Sequence, residues 1–369
     1  MNATRERKAL SYQEPVEACK SLHPGSIPGE ASNLPPVSQT MADRSSPAPG
    51  PQPRHGGGLV DAARLHGIPL KDWLDLSTGI NPHAFPLPPF GPDDLHRLPD
   101  PAALRDLLAV ARRASAAPAD AAVLAVPGSD LALRLIPLLF PRGPVAILSP
   151  TYSGHAEAWD AAGHAVRRVA DLSQALDPAS IIVLANPNNP DGRTCSPQTL
   201  ATIGEQHTLI VDEAFCDLAP EASVVPMIGR RTIVLRSFGK FYGLAGLRLG
   251  FVIGDSELLA PLERLLGDWP VSGPAIAASR LALADTAWQA ATRTRLAAER
   301  AQLDSLLLSA GYATIEGTDL FRSVIAPDAA ALHLDLARQG IWTRIFTEEP
   351  TRIRIGIPPE GGFERLERA

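Results

Sequence analysis

Of the 34 Lys and Arg residues in this chain only four are lysine, and beyond Lys71 the single lysine is Lys240. It sits in RSFGKFYGLAGLRLG, residues 236–250, among glycines, aromatics and arginines. Where a positive charge alone is wanted, this chain uses arginine. A lysine amine can lose its proton and attack a carbonyl carbon to form an imine, which a guanidinium does not do. Position 240 is therefore a candidate nucleophile, although a surface lysine left over in an arginine-biased composition fits the same letters.

Four other stretches carry residues able to do chemistry. VPGSDLAL (126–133) sets Gly128, Ser129 and Asp130 at the start of an expected helix. Free N–H groups and a hydroxyl there suit an anion such as phosphate, and an ordinary N-cap reads the same way. SPTYSGH (149–155) offers Tyr152, an aromatic able to cover a flat ring or simply to pack. LANPNNPDG (184–192) holds three asparagines between prolines, a rigid turn that aims amides inward. LIVDEAF (209–215) ends an apolar run on Asp212, where a carboxylate is costly unless it meets a cation or a protonated heterocycle. Ser237 and Arg248 flank Lys240 in the fifth stretch.

The elements that must position these groups are legible as short apolar runs. VLAV (123–126), VAILS (145–149), IIVLA (181–185), TLIVD (208–212), TIVLR (232–236) and RLGFVIG (248–254) read as strands buried on both faces. LALRLIPLLF, HAEAWDAAG and PQTLATIGEQ between them read as helices. Strands alternating with helices predict an α/β fold with a mostly parallel sheet between helix layers. Each chemical stretch follows a strand end, where ligands bind in open α/β sheets. Residues 256–310 read as helical, and LFRSVIA and TRIRIGI as strands flanking a helix in a smaller α+β unit.

A phosphate cradle, a ring cover, an inward amide, a buried acid and a lone amine match the parts of pyridoxal 5'-phosphate: phosphate, flat ring, phenolic oxygen, ring nitrogen and aldehyde. The order GSD, PTYS, NPNNPDG, VDEAF, SFGK and GLRLGF resembles the fold-type I pyridoxal-phosphate-dependent aminotransferase superfamily over residues 55–369. Within it, HGG (55–57), LSTGINP (76–82), DEAF, KFYGLAGLRLGF and WPVSGPA (269–275) are most similar to the threonine-phosphate decarboxylases of cobalamin biosynthesis, with histidinol-phosphate aminotransferases as near relatives.

The resemblance implies roles residue by residue. Gly128, Ser129, Ser237 and Arg248 are implied to hold the cofactor phosphate, Tyr152 to stack on its ring, Asn189 to reach the phenolic oxygen and Asp212 the ring nitrogen. Lys240 is implied to bond the aldehyde carbon. Arg354 is implied to grip a substrate carboxylate, Arg344 and His55 a substrate phosphate, and Asn81 is a further substrate candidate. A homodimer with its active site at the subunit interface is implied too, as is a domain plan: an extension over 1–54, an arm and part of a small domain over 55–102, a cofactor domain over 103–270, and an interdomain helix with the small domain over 271–369. The chain departs from the family pattern at Phe215, where many aminotransferases have tyrosine, at Asp191 in place of threonine, and at Gly79 in place of asparagine.

Composition narrows the classes. Net charge −6 with pI 5.9, and no basic stripe, argues against a nucleic-acid partner, and no apolar run is long enough for a membrane helix. Three cysteines without metal-ligand spacing predict a reducing, cytoplasmic setting and no metal. Residues 1–54 are rich in Pro, Ser and Gly, without hydrophobic periodicity, and predict a disordered segment with no secretory signal; Met41 is a candidate start. Ser237-x-x-Lys240 without SDN and KTG, and HGGG (55–58) without G-x-S-x-G, exclude two hydrolase readings. A non-enzymatic cofactor-binding regulator is the remaining alternative, for which this chain offers no DNA-binding domain.

Overall fold

The computed structural model describes residues 56–176 and 181–369. The extension expected over 1–54 and the candidate His55 lie outside the described residues. A short first strand, β1 (Leu74–Asp75), precedes the main sheet. The next seven strands are β2 (Ala121–Val126), β3 (Pro144–Leu148), β4 (Ala165–Val169), β5 (Ile181–Ala185), β6 (Leu209–Asp212), β7 (Thr232–Ser237) and β8 (Gly250–Asp255). They form one sheet in the order β2-β8-β7-β6-β5-β3-β4. All neighbours are parallel except β8, which runs antiparallel to both β2 and β7.

Alternate residues of the central strands enter two separate cores. Ile182, Leu184, Val211 and Val234 pack into one cluster, and Val183, Ile210 and Ile233 into the other. Both faces are thus covered, which is why these strands are continuous apolar runs. The helix Pro197–Gln206 shows how the covering layer is built. Ser196 caps it by accepting from Thr199 N, Pro197 occupies the first turn, and Leu200 and Ile203 face the sheet. The expected helix over LALRLIPLLF is shorter: α-helix runs over Ser129–Leu135 and gives way to a 3-10 turn over Ile136–Leu139 at Pro137. Strand β4 has no apolar run to announce it. It lies at the sheet edge, paired only to β3, and its Arg167 and Arg168 are exposed.

Helices Ser256–Leu266, Gly273–Ala284 and Thr286–Ser309 follow. Among the described residues no helix is long and apolar enough to cross a membrane. The last strands are β9 (Ile315–Thr318), β10 (Phe321–Ile325), β11 (Ile341–Trp342), β12 (Arg344–Ile345) and β13 (Arg352–Gly356), with helix Ala329–Arg338 after β10. β12-β13-β10-β9 is an antiparallel sheet, while β1 pairs in parallel with β11 and so joins the two ends of the described chain.

Beneath the ends of β6 and β7 lies a buried ion pair. Glu213 accepts from Arg236 Nη1 at 2.9 Å, from Ser223 Oγ at 2.7 Å and from Val224 N at 2.8 Å, and Arg236 also pairs with Asp217. Removing Glu213 leaves the buried Arg236 with Asp217 alone and takes the acceptor from Val224 N and Ser223 Oγ. Glu213→Ala is expected to lower stability by about 3–5 kcal/mol, read as a shift of the denaturant midpoint; an unchanged midpoint would contradict the pairing.

Candidate active site

The carboxyl ends of β2, β3, β5, β6 and β7 open on a cavity of about 460 Å³. Its lining includes Ser129, Tyr152, Asn189, Asp212, Lys240, Arg344 and Arg354. Seven residues singled out in the sequence are therefore neighbours in space. Lys240 follows β7 in a turn whose backbone is clamped from outside: Asn81 N donates to Lys240 O at 3.0 Å, Asn81 Nδ2 to Phe241 O at 2.8 Å, and Phe85 N to Tyr242 O at 2.9 Å. The Asn81 oxygen accepts from His83 N at 2.9 Å. This asparagine lies behind Lys240, outside the cavity lining, and both ends of its amide are engaged by the protein.

The Lys240 side chain is half-buried, with its amine 5.7 Å from the centre of the Phe215 ring. Burial lowers its pKa to about 8, Arg354 acts in the same direction, and Asp212 opposes them. A lysine so placed is substantially neutral just above pH 8. Asp212, at the end of β6, is buried with Oδ2 3.1 Å from His155 Nε2, and its Oδ1 accepts from Ala214 N at 3.0 Å. His155, the partner of Asp212, is a contact that the motifs did not signal. It was visible as the last letter of SPTYSGH, but nothing in the sequence ties it to Asp212, 57 positions away.

At the end of β2 the backbone turns through Gly128 with φ +84°, a conformation that favours glycine. A β-carbon there would sit 2.8 Å from Arg248 Nη2, so the guanidinium lies directly over the turn. Arg248 itself has φ +51°, a strained setting for arginine that aims its side chain at the start of helix Ser129–Leu135. Ser237 stands in register with Gly250, and Gly250 with Val126, which brings the ends of β7, β8 and β2 side by side. Ser237 does not itself line the cavity. The Tyr152 hydroxyl donates to Asp130 at 3.2 Å, and burial followed by the Asp130 charge raises its pKa, keeping it a donor.

The asparagine-rich turn divides its amides. Asn186 and Asn188 tie the turn to its neighbours, Asn186 with Cys195 and Ala222, Asn188 with Thr151 and Pro150 and with Asp191 of the turn itself. Asp191 thus staples the turn in place of the usual threonine. Asn189 faces the cavity and accepts from Arg354 Nη1 at 2.6 Å. Arg354 is buried on β13, its second Nη donates to Ser77 O at 2.6 Å, and it lies over the Phe321 ring. Both acceptors are neutral. Burial, then the neighbouring Arg344, lowers the Arg354 pKa, and Asp75 opposes them. Arg344 on β12 is directly opposite Arg354 in the antiparallel register and stacks on Phe346 at 5.3 Å. Gly79 has no room for an asparagine: a β-carbon would meet Phe321 at 2.9 Å and Phe215 at 3.1 Å.

Comparison with known proteins agrees with this geometry. The curated threonine-phosphate decarboxylase of Pseudomonas aeruginosa is 42% identical over 85% of this chain and 96% of its own length. Histidinol-phosphate aminotransferase 1 of Mesorhizobium japonicum is 33% identical over 63% of this chain and 71% of its own. The crystal structure of histidinol-phosphate aminotransferase from Sinorhizobium meliloti in complex with pyridoxal-5'-phosphate shares the fold, with TM-score 0.70 and 22% identity over 85% of this chain and 93% of that one. Residues 94–369 match the family described as Aminotransferase class I and II. On a match of that extent, and on relatives that the chain spans nearly end to end, the protein belongs to the aminotransferase class I and II family.

Proposed function

We propose that this chain is a pyridoxal-phosphate-dependent decarboxylase that converts L-threonine O-3-phosphate to (R)-1-amino-2-propanol O-2-phosphate and carbon dioxide, a step of cobalamin biosynthesis. The observation that carries the reading is Arg344 standing opposite Arg354 across β12 and β13, both on the cavity. Like charges directly opposite on a sheet are destabilising. Two guanidiniums so placed suit a substrate with an anion at each end, and threonine phosphate carries a carboxylate and a phosphate. The 42% identity to a curated decarboxylase points the same way.

The residues present fit the cofactor. The Gly128 turn, which a β-carbon would fill, and the Arg248 guanidinium over it suit its phosphate. Asp212, braced by His155, suits a protonated ring nitrogen, and the Lys240 amine, its pKa lowered, suits its aldehyde. Phe215 offers no hydroxyl to the phenolic oxygen, which leaves Asn189 as the polar group on that side.

When bound, pyridoxal phosphate supplies an aldehyde that takes up the substrate amine and a ring that accepts the electron pair of a bond broken at the α-carbon. The chain's own groups set which bond that is. Arg354 would grip the carboxylate and Arg344 would anchor the far phosphate, so that holding both ends fixes the substrate's orientation at the α-carbon; His55 is a further phosphate partner implied by the family resemblance alone. Asp212 would hold the ring nitrogen protonated. The Lys240 amine, neutral above its lowered pKa, would be able to move a proton at the α-carbon. Tyr152 would cover the ring face. Residues 103–270 form the cofactor domain in this reading, with the smaller domain built from both chain ends. The family resemblance adds a homodimer in the cytoplasm.

Product analysis decides the matter. The cofactor-loaded protein is expected to release carbon dioxide from threonine phosphate; conversion of histidinol phosphate with 2-oxoglutarate and no carbon dioxide release would establish the aminotransferase alternative instead. Arg344→Ala is expected to lose preference for threonine phosphate over threonine by about 2–5 kcal/mol, the cost of truncating one side of a buried charge pair. Equal kcat/KM ratios in variant and wild type would remove Arg344 from the substrate site.

A further inference from the structure

The groups that fix the two cavity arginines meet at one side chain that the mechanism above does not use. Ser77 is fully buried. Its carbonyl accepts from Arg354 Nη2 at 2.6 Å, its N–H and hydroxyl both donate to Asp75 Oδ1, at 2.9 and 2.6 Å, and its hydroxyl oxygen accepts from Gly57 N at 2.7 Å. Gly57 in turn offers its carbonyl to Trp342 Nε1 at 2.8 Å. Trp342 ends β11, two positions before Arg344, and is wedged between Trp73, 5.7 Å away edge-on, and His333. The arm residue before Gly57 is pressed on the same point: a β-carbon on Gly56 would meet Ser77 O at 2.4 Å, and Gly56 lines the cavity.

We propose that Ser77 is a positioning residue that locks the arm segment at Gly56 and Gly57 to the carboxylate-gripping Arg354, so that arm docking and carboxylate binding act as one unit. The arm is tied at Ser77 to the segment after β1 whose carbonyl holds Arg354, and at Trp342 to the chain leading into Arg344. It therefore spans the anchors for both ends of the substrate and forms part of the wall between them. Loss of the Ser77 hydroxyl takes away the acceptor for Gly57 N and the donor to Asp75, while its carbonyl remains. The carbonyl then lacks two of the bonds that hold it under Arg354, and the grip on a carboxylate loosens in the ground state and transition state alike.

The inference rests on the assignment of Arg354 to the substrate carboxylate, and its test is independent of whether carbon dioxide is lost. Ser77→Ala, loaded with pyridoxal phosphate, is titrated spectroscopically with threonine phosphate and with 1-amino-2-propanol O-2-phosphate, which differ only in the carboxylate. Expected is about a tenfold weaker affinity for threonine phosphate, the scale of one lost hydrogen bond, and less than about a twofold change for the amine without a carboxylate. Ser77→Thr, which keeps the hydroxyl, is expected to restore the difference. The same comparison between threonine and 1-amino-2-propanol serves if the wild type rejects threonine phosphate, an outcome that would strike the proposed substrate but not Ser77. Equal weakening for both members of a pair, or none for either, would overturn the proposal. Protection of the Gly57 amide against hydrogen exchange should fall in Ser77→Ala alone; unchanged protection would also count against it.

Discussion

Lys240→Arg is expected to fold normally, bind the cofactor phosphate and turn over substrate slower by about four orders of magnitude, the upper range for a positioned proton-transfer group. The substitution keeps a cation in the cavity and removes the one amine among the described lining residues able to form an imine with an aldehyde. Two readouts check it. Borohydride reduction of the wild-type holoprotein is expected to fix the cofactor on the peptide containing Lys240, and the variant should give no labelled peptide. Capture of pyridoxal phosphate by the wild-type apoprotein is expected to quicken with rising pH, with a midpoint near the Lys240 pKa of about 8 in place of the 10.5 of an unburied lysine. The sign follows from the attacking form: burial and Arg354 disfavour the ammonium, so the neutral amine appears at lower pH. A midpoint above pH 10, or label on Lys71, would refute the assignment.

Asp212→Ala is expected to lower kcat by about 10²–10³-fold, the usual cost of deleting one preorganised electrostatic partner. Two effects are superposed in that variant. A protonated heterocycle loses its counter-charge, and His155, buried 3.1 Å away, loses its partner. The second effect costs stability, on the order of 1–3 kcal/mol for a buried polar group left unpaired. Asp212→Asn separates them, because the amide can still hydrogen-bond His155 but carries no charge. Steady-state kinetics and thermal unfolding of both variants provide the check: the asparagine variant should recover the melting temperature and not the turnover. Recovery of both would mean that Asp212 works only as a bracket for His155.

What could be read in the letters, and what could not, divides by the distance over which the cause acts. Lys240, Asp212 and the Gly128 turn were legible because each is an odd residue type at the end of an apolar strand, a local contrast. The central strands were legible for the same reason. Strand β4 was not, since an edge strand with one partner needs no second apolar face, and its arginines look like loop. Nor was the pairing of Asp212 with His155, or of Arg354 with Asn189, 165 positions apart, because folding alone brings those groups together. Asn81 was singled out for its motif, yet the fold uses its amide to hold the turn that carries Lys240. Gly79 and Phe215 registered as separate departures from the family pattern. In the structure they are one: the two phenylalanine rings at 215 and 321 occupy the space that a side chain at 79 would need.

The antiparallel strand β8 also sets an order of events in time. Strand β2 has no neighbour but β8, whose pairing joins Val126 to Gly250 and Ala121 to Asp255. A chain emerging from the ribosome at about 5–20 residues per second leaves β2 with its backbone groups unmatched for on the order of ten seconds. The Gly128 turn cannot take its place beside Arg248 before then. Strand β1 waits longer still, for Ile341. Assembly of this catalytic centre is thus a late, long-range closure, and a chain cut short before residue 341 would have its nucleophile without β12 and β13, the strands that carry both arginines.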